Sequence, residues 1–156
     1  MPDDATARLV SKLVPHTPAL VYAESELVET ASRIQRMTSE AGCDLTYAMK
    51  PCTLAWTLET ISPFVTGFAA SSPFEARLAR QILGDQGNLH YHSVAVTDSE
   101  YEEISELADY MSLNSINQFQ ARQSQSTDGI SLGMRVNPGI SFVADERYDP
   151  CRRHSK

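Results

Sequence analysis

Basic side chains are in short supply. Thirteen lysines and arginines stand against twenty aspartates and glutamates, a formal charge of −7. That balance argues against a nucleic-acid partner, whose binding relies on basic patches. It suits a soluble protein and is compatible with a small cationic ligand. No run approaches the ~18 apolar residues that cross a bilayer, so no membrane partner is expected. Cysteine is scarce too: Cys43, Cys52 and Cys151 are an odd set without metal-ligand spacing. They read as free thiols in a reducing compartment, with neither a disulfide framework nor a metal site. The opening Met-Pro-Asp-Asp-Ala lacks the basic-then-apolar order of a signal peptide. A cytoplasmic location follows as the expectation. There is no internal repeat, no low-complexity domain linker and no glycine-rich turn of the kind that cradles phosphate.

What is present is a core and a rhythm. Hydrophobic residues make up 42% of 156 residues, enough for one folded domain. Residues 1–17 read as a polar lead-in, and Thr17-Pro-Ala-Leu-Val-Tyr22 as a short strand. The spacing of Leu27, Ala31, Ile34 and Met37 predicts a helix over Ser25–Ala41, stopped by Gly42. Asp44–Lys50 reads as a strand. Thr53 reads as the cap of a helix carrying Leu54, Leu58 and Ile61, ended by Ser62-Pro63. Val65–Ser71 is the next predicted strand. Ser72-Pro-Phe-Glu75 is a capping box with proline at the first helical position. Asn88–Ser93 and Tyr110–Asn114 follow as strands, with helix starts at Thr97-Asp-Ser-Glu100 and Ser115-Ile-Asn-Gln118. A Gln/Ser-rich stretch at 123–127 reads as a loose surface segment, and Ile130–Asn137 as the last strand. Strand and helix alternating every twenty residues or so predict parallel βα units, five strands of them from Asp44 to Asn137.

The strand Asp44–Lys50 organises the rest. Pro51 ends it, because proline has no N–H for a ladder. Alternation sets Leu45, Tyr47 and Met49 on one face and Thr46, Ala48 and Lys50 on the other. A lysine at the carboxyl end of such a strand lies where α/β folds do chemistry. Partly desolvated there, it would form a Schiff base with a carbonyl. A solvated surface lysine is the alternative from these seven residues alone. In the last strand Arg135 shares a face with Gly133 and Asn137, which fits an inward position; an inward arginine paired structurally with a carboxylate is the alternative. His90 and His92, at i and i+2, share a face of the fourth strand and read as a polar inward pair or a satisfied structural pair. His16 and His154 read as surface. Cys52 reads as a packed small residue, with no basic neighbour or helix start to lower its pKa.

The ordered set Thr17-Pro-Ala-Leu-Val-Tyr22, Tyr47-Ala-Met-Lys50, Phe68-Ala-Ala-Ser-Ser-Pro-Phe-Glu-Ala-Arg77, Asn114-Ser115 and Met134-Arg-Val-Asn-Pro138 is specific. It resembles the amino-terminal part of the alanine-racemase-like, pyridoxal-phosphate-dependent decarboxylases, which include ornithine, arginine and diaminopimelate decarboxylases. Ser71-Ser-Pro-Phe-Glu-Ala-Arg77, Asn137-Pro-Gly139 and Tyr148-Asp-Pro-Cys151 resemble the carboxynorspermidine decarboxylase branch in particular. The resemblance spans about residues 17–156 and only the front of the family's length.

The resemblance implies a partial (β/α)8 TIM-type barrel of about five βα units, truncated before closure. Residues 18–156 would be the amino-terminal portion of the cofactor-binding barrel domain, with the carboxyl-terminal β domain absent. It implies pyridoxal 5'-phosphate as cofactor, Lys50 as the lysine that holds it and Arg135 as the arginine projecting toward it. The implied activity is decarboxylation of carboxynorspermidine or carboxyspermidine in polyamine biosynthesis, on a small cationic carboxylated substrate. The implied full-length form is a homodimer, and this portion alone is expected to be inactive. Ala69 and Ala70 stand where ornithine-type relatives carry an acid, which fits the carboxynorspermidine branch. The alternatives are a diaminopimelate- or ornithine-type decarboxylase, or a non-catalytic or truncated protein that binds the cofactor.

Overall fold

The computed structural model describes residues 4–14, 16–123, 129–145, 147, 149 and 151. Tyr148 and Pro150 of the Tyr148–Cys151 motif, His154 and most of the 123–127 stretch lie outside these. The elements run α1 (Asp4–Leu13), α2 (Glu24–Glu40), β1 (Thr46–Ala48), α3 (Ala55–Ile61) with a 3-10 turn (Ser62–Phe64), β2 (Gly67–Ala70) and α4 (Pro73–Leu83). They continue as β3 (Asn88–His92), α5 (Asp98–Leu107), β4 (Tyr110–Leu113), α6 (Ile116–Gln123) and β5 (Ser131–Met134). The five strands form one sheet in the order β1-β2-β3-β4-β5, and every pairing is parallel. This is the sequential βα architecture that the alternation predicts.

Two sequence expectations fail near the amino terminus. The lead-in is helical over Asp4–Leu13, since Ala7, Arg8, Leu9, Lys12 and Leu13 are all good helix formers. Leu9 and Leu13 are nonetheless 58% and 70% exposed. Thr17–Tyr22 is not a strand. Its apolar pattern suits one, but among the described residues no strand lies alongside to complete a ladder. In α2 only half of the predicted stripe is covered: Ala31 is buried, while Ile34 and Met37 are exposed. α2 packs on α3 and the turn after it.

The helix ends are as the sequence writes them, with two refinements. Gly42 (φ +67) lies just past α2. Its N–H donates to Ser39 O, and that of Cys43 donates to Thr38 O, which is a Schellman closure. Thr97 and Glu100 form the full capping box of α5. At α4 and α6 the reciprocal bond slips back one residue. Glu75 N–H donates to Ser72 Oγ, but Glu75 Oε2 accepts from Ser71 N–H. Likewise Gln118 N–H donates to Ser115 Oγ, and Gln118 Oε1 accepts from Asn114 N–H. Thr53 does not cap α3; its hydroxyl donates to Met49 O, and Leu54 takes the N-cap position.

The core lies between the sheet and its helices. Phe68, Ala70, Leu89, Tyr91, Met111 and Leu113 point to it and are at most 1% exposed. Ala76 and Ala79 of α4 are fully buried, small enough to let that helix lie close on the sheet. The opposite face carries Ala48, Ala69, His90, Tyr110 and Ser131, one register row across all five strands. Of Ala69 and Ala70, only Ala69 is on this face; Ala70 packs in the core.

At the amino ends of the strands, Arg80 ties three elements. Its guanidinium donates to Leu107 O (2.9 and 2.6 Å) and to Asp109 Oδ2 (2.8 Å). The same Asp109 oxygen accepts the Leu89 N–H at 2.7 Å. The ion pair is partly solvated and worth little by itself. The stranded backbone N–H is the larger cost. Asp109→Ala is expected to destabilise by ~1–3 kcal/mol, measured as a lower urea midpoint with unchanged slope. An unchanged midpoint would show that water replaces the carboxylate freely.

Candidate active site

The carboxyl ends of the strands open on a cleft of about 450 Å³, lined by Lys50, Ser71, His92, Ser93, Val94, Ser112, Asn114 and Arg135. That volume falls in the ~300–1,000 Å³ range of small-molecule sites. Lys50 and Arg135 come from opposite edges of the sheet. The ladder carries each of them just past its strand. Met49 N–H donates to Ala69 O at 3.0 Å and Arg135 N–H to Leu113 O at 2.8 Å. Lys50 follows in the turn that Cys52 N–H closes on Met49 O (3.0 Å). The alternation from Thr46 thus holds in its outcome, although the strand is three residues long and not seven. Met49 is fully buried, whereas Lys50 is exposed. The desolvation expected of Lys50 is not supplied by the described residues.

Arg135 has a carboxylate partner in none of the ion pairs found among the described residues. The cleft therefore combines an amine, a guanidinium, an amide and three hydroxyls, with no carboxylate in its lining. Such a donor set fits an anionic ligand. Asn114 Nδ2 donates to Ser93 O at 3.1 Å, which locks the tops of β3 and β4 together.

His90 and His92 do share a face. Their rings lie 6.3 Å apart with planes 17° from parallel. His90 also stacks on Tyr110, its register partner, at 4.4 Å and 11°. Only His92 reaches the cleft. Packing against the sheet, then the nearby His90 and Arg135, hold its pKa below the ordinary imidazole value. The sequence places the histidine pair on one face; the Tyr110 partner depends on register, which no local pattern reveals. His16 is exposed, as expected.

Cys52 corrects another expectation. The Leu54 N–H at the start of α3 draws its thiol pKa below the ordinary thiol value, and Tyr22 and Thr57 add to the effect. Its sulfur lies 3.7 Å from each of the Tyr22 and Thr57 hydroxyl oxygens. The local signal is the Cys-Thr-Leu stretch entering α3, which puts a thiol beside free helix N–H groups. Cys52 is not among the residues lining the cleft, and among the described residues no cluster of three or more potential metal ligands occurs.

No family model matches the chain. Individual relatives do. The carboxynorspermidine/carboxyspermidine decarboxylase of Herminiimonas arsenicoxydans is 31% identical over 141 residues, 90% of this chain and 38% of the relative. That of Campylobacter jejuni subsp. jejuni is 28% identical, over 90% of this chain and 36% of the relative. Carboxyaminopropylagmatine decarboxylase of Synechocystis sp. is 27% identical, over 86% and 35%. The chain thus spans little more than a third of the length of these curated relatives. Among solved structures, carboxynorspermidine decarboxylase of Campylobacter jejuni, complexed with norspermidine, superposes with a TM-score of 0.74 at 26% identity. It covers 81% of this chain and 34% of that one. Lysine/ornithine decarboxylase of Vibrio vulnificus, complexed with cadaverine, shares the fold at a TM-score of 0.69 and 14% identity, over 87% and 37%. By sequence and by fold, this chain is similar to the amino-terminal part of carboxynorspermidine/carboxyspermidine decarboxylase, and its five parallel strands with their helices match part of that enzyme's structure.

Proposed function

We propose that the chain is the amino-terminal portion of a pyridoxal-phosphate-dependent decarboxylase acting on carboxynorspermidine or carboxyspermidine in polyamine biosynthesis. The observation that carries this reading is the meeting of Lys50 and Arg135, from the first and last strands, in one cleft without a carboxylate. Residues 18–156 are read as the front of the cofactor-binding barrel domain. The whole enzyme is read as a cytoplasmic homodimer; among the described residues no helix is long and apolar enough to cross a membrane.

The fit to the cofactor is chemical. An aldehyde needs an amine to hold it, and Lys50 offers one at the rim of the cleft. Arg135, Asn114 and the hydroxyls of Ser71, Ser93 and Ser112 provide donors for its anionic groups. When bound, pyridoxal phosphate supplies the sink for the electrons left as carbon dioxide departs. The chain's own contribution is then to fix that group. Lys50 tethers it, and Arg135 holds negative charge from the far edge of the sheet without giving up a proton, since guanidinium stays charged. The absence of an acid at Ala69 leaves the inner face short of any group to pair a substrate ammonium there, unlike the ornithine-type pattern.

The test is covalent trapping. Borohydride added to the chain with pyridoxal phosphate is expected to attach the pyridoxyl group to Lys50, found by peptide mass. Labelling spread evenly over surface lysines would overturn the reading. With carboxynorspermidine as substrate, the chain by itself is expected to release no carbon dioxide above background. Lys50-dependent release would show instead that these five units suffice.

A further inference from the structure

The turn that carries Lys50 is held by more bonds than its own sequence would form. It runs from Met49 to Cys52 and is closed by the Cys52 N–H on Met49 O at 3.0 Å. Proline stands in its third place, where it keeps the residue before it, Lys50, out of the helical conformation that the common type I turn requires. Pro51 also has no N–H to give. Two side chains supply what the turn lacks. The Thr53 hydroxyl donates to the same Met49 O at 3.0 Å, so that one carbonyl accepts twice. The Tyr47 hydroxyl donates to Cys52 O at 3.3 Å. Tyr47 is itself held against the core, its ring edge-on to the fully buried Phe68 at 6.3 Å and 80°. Met49 is fully buried and its N–H is bonded to β2, so both hydroxyls tie the turn to a rigid base. Lys50 is exposed. Its direction is therefore set by the backbone of this turn and not by packing.

We propose that Thr53 is the positioning residue of Lys50, with Tyr47 as a second strut: their hydroxyls fix the 49–52 turn so that the Lys50 amine is carried into the cleft. The proposal rests on the reading of Lys50 given above and adds what makes that amine selective. A flexible lysine stem reaches a given point only as reliably as its root is placed, and a misplacement of about 1 Å costs up to ~100-fold in rate. The helix that follows shows where the Thr53 hydroxyl is needed. Threonine is a favoured N-cap, yet Leu54 takes that position at α3 and makes no side-chain bond. The helix start goes without its cap, and the hydroxyl beside it is committed to the turn. A local preference set aside in this way is the mark of a functional site.

Thr53→Val keeps the shape of the side chain and removes only the donor. Met49 O keeps the Cys52 N–H, so no acceptor is stranded and the variant should fold. The chain is treated with pyridoxal 5'-phosphate and borohydride, and the pyridoxyl label at Lys50 is compared by peptide mass with that at Lys12, which is exposed on α1. In the parent the label should favour Lys50. Thr53→Val should lower the Lys50-to-Lys12 ratio roughly tenfold, and Thr53→Ser, which restores the hydroxyl, should return it to within about twofold. Thr60→Val is the control. It removes an equivalent bond, from the Thr60 hydroxyl to Trp56 O at 2.8 Å within α3, and should leave the ratio unchanged. Tyr47→Phe should also lower the ratio, and it decides the matter if Thr53→Val does not fold. An unchanged ratio in Thr53→Val, no recovery in Thr53→Ser, or an equal loss in Thr60→Val would each overturn the proposal while leaving Lys50 as the tether. Even labelling in the parent would overturn the reading of Lys50 and the proposal with it.

Discussion

Gly67→Ala is expected to abolish cooperative folding. A Cβ built on Gly67 meets Asn88 O at 1.9 Å, Asn88 C at 2.8 Å and Asn88 N at 2.9 Å. All three atoms are backbone of the adjacent strand, so no side-chain rotamer relieves the clash. Gly67 and Asn88 are register partners at the first rung of β2 and β3, and Asn88 N–H is already committed to Thr66 O at 2.9 Å. The two strands must move apart where the sheet's centre begins. Overpacking of yielding side chains costs about 1–3 kcal/mol, and a backbone that cannot yield costs more. Typical domains have only ~5–15 kcal/mol to lose, and an open five-stranded sheet with a large exposed face starts near the lower figure. A thermal melt by far-ultraviolet circular dichroism should lose its sigmoid. Gly42→Ala is the control: φ is +67 there, but nothing lies within 4 Å, so it should cost only ~1–2 kcal/mol of backbone strain. If Gly67→Ala melts within a few degrees of the parent, the close approach of β2 and β3 is not as described.

How far the sequence reveals this architecture depends on how local each cause is. Capping residues act within one turn, and Ser72, Thr97 and Ser115 mark three helix starts to the residue. Alternation acts within one strand, so the inward positions of His90, His92, Ser112 and Arg135 are legible from each strand's own residues. Pairing is not local. Thr17–Tyr22 has a strand's composition and no neighbour, while the stacking of His90 on Tyr110 follows from a register that only the assembled sheet defines. The Asp4–Leu13 helix is legible as well: Leu9 and Leu13 stand one turn apart on an apolar side that the sequence itself shows, whether or not that side is covered.

Lys50→Arg is expected to lose borohydride-dependent attachment at position 50 by more than a hundredfold, as completely as Lys50→Ala. The arginine keeps the positive charge, and its stem reaches as far from the same turn after β1. What it lacks is an amine that can shed its proton, for guanidinium stays protonated throughout the range in which the protein is folded. If charge attraction alone held the aldehyde, arginine would serve. The pair of variants therefore separates electrostatic retention from bond formation. Because Lys50 is exposed, neither substitution disturbs the core, and both variants should melt with the parent. Attachment that survives in Lys50→Arg would move the reactive amine elsewhere in the chain.

The slipped caps of α4 and α6 leave the mouth of the cleft lopsided in charge. At α4 the group that reaches back to Ser71 is Glu75, a carboxylate lying in the positive end of the helix dipole. α5 likewise begins with Asp98 and Glu100. At α6 the same bond to Asn114 is made by Gln118, which is neutral, and the first turn of that helix holds no acid. Of the helices after β2, β3 and β4, α6 is thus the one whose dipole is left uncancelled, on the same side as Arg135; α3, which follows β1 and Lys50, has no acid in its first turn either. The two edges of the sheet, with Lys50 on the β1 side and Arg135 on the β5 side, are thus more attractive to an anion than the middle, where α4 and α5 begin with acids.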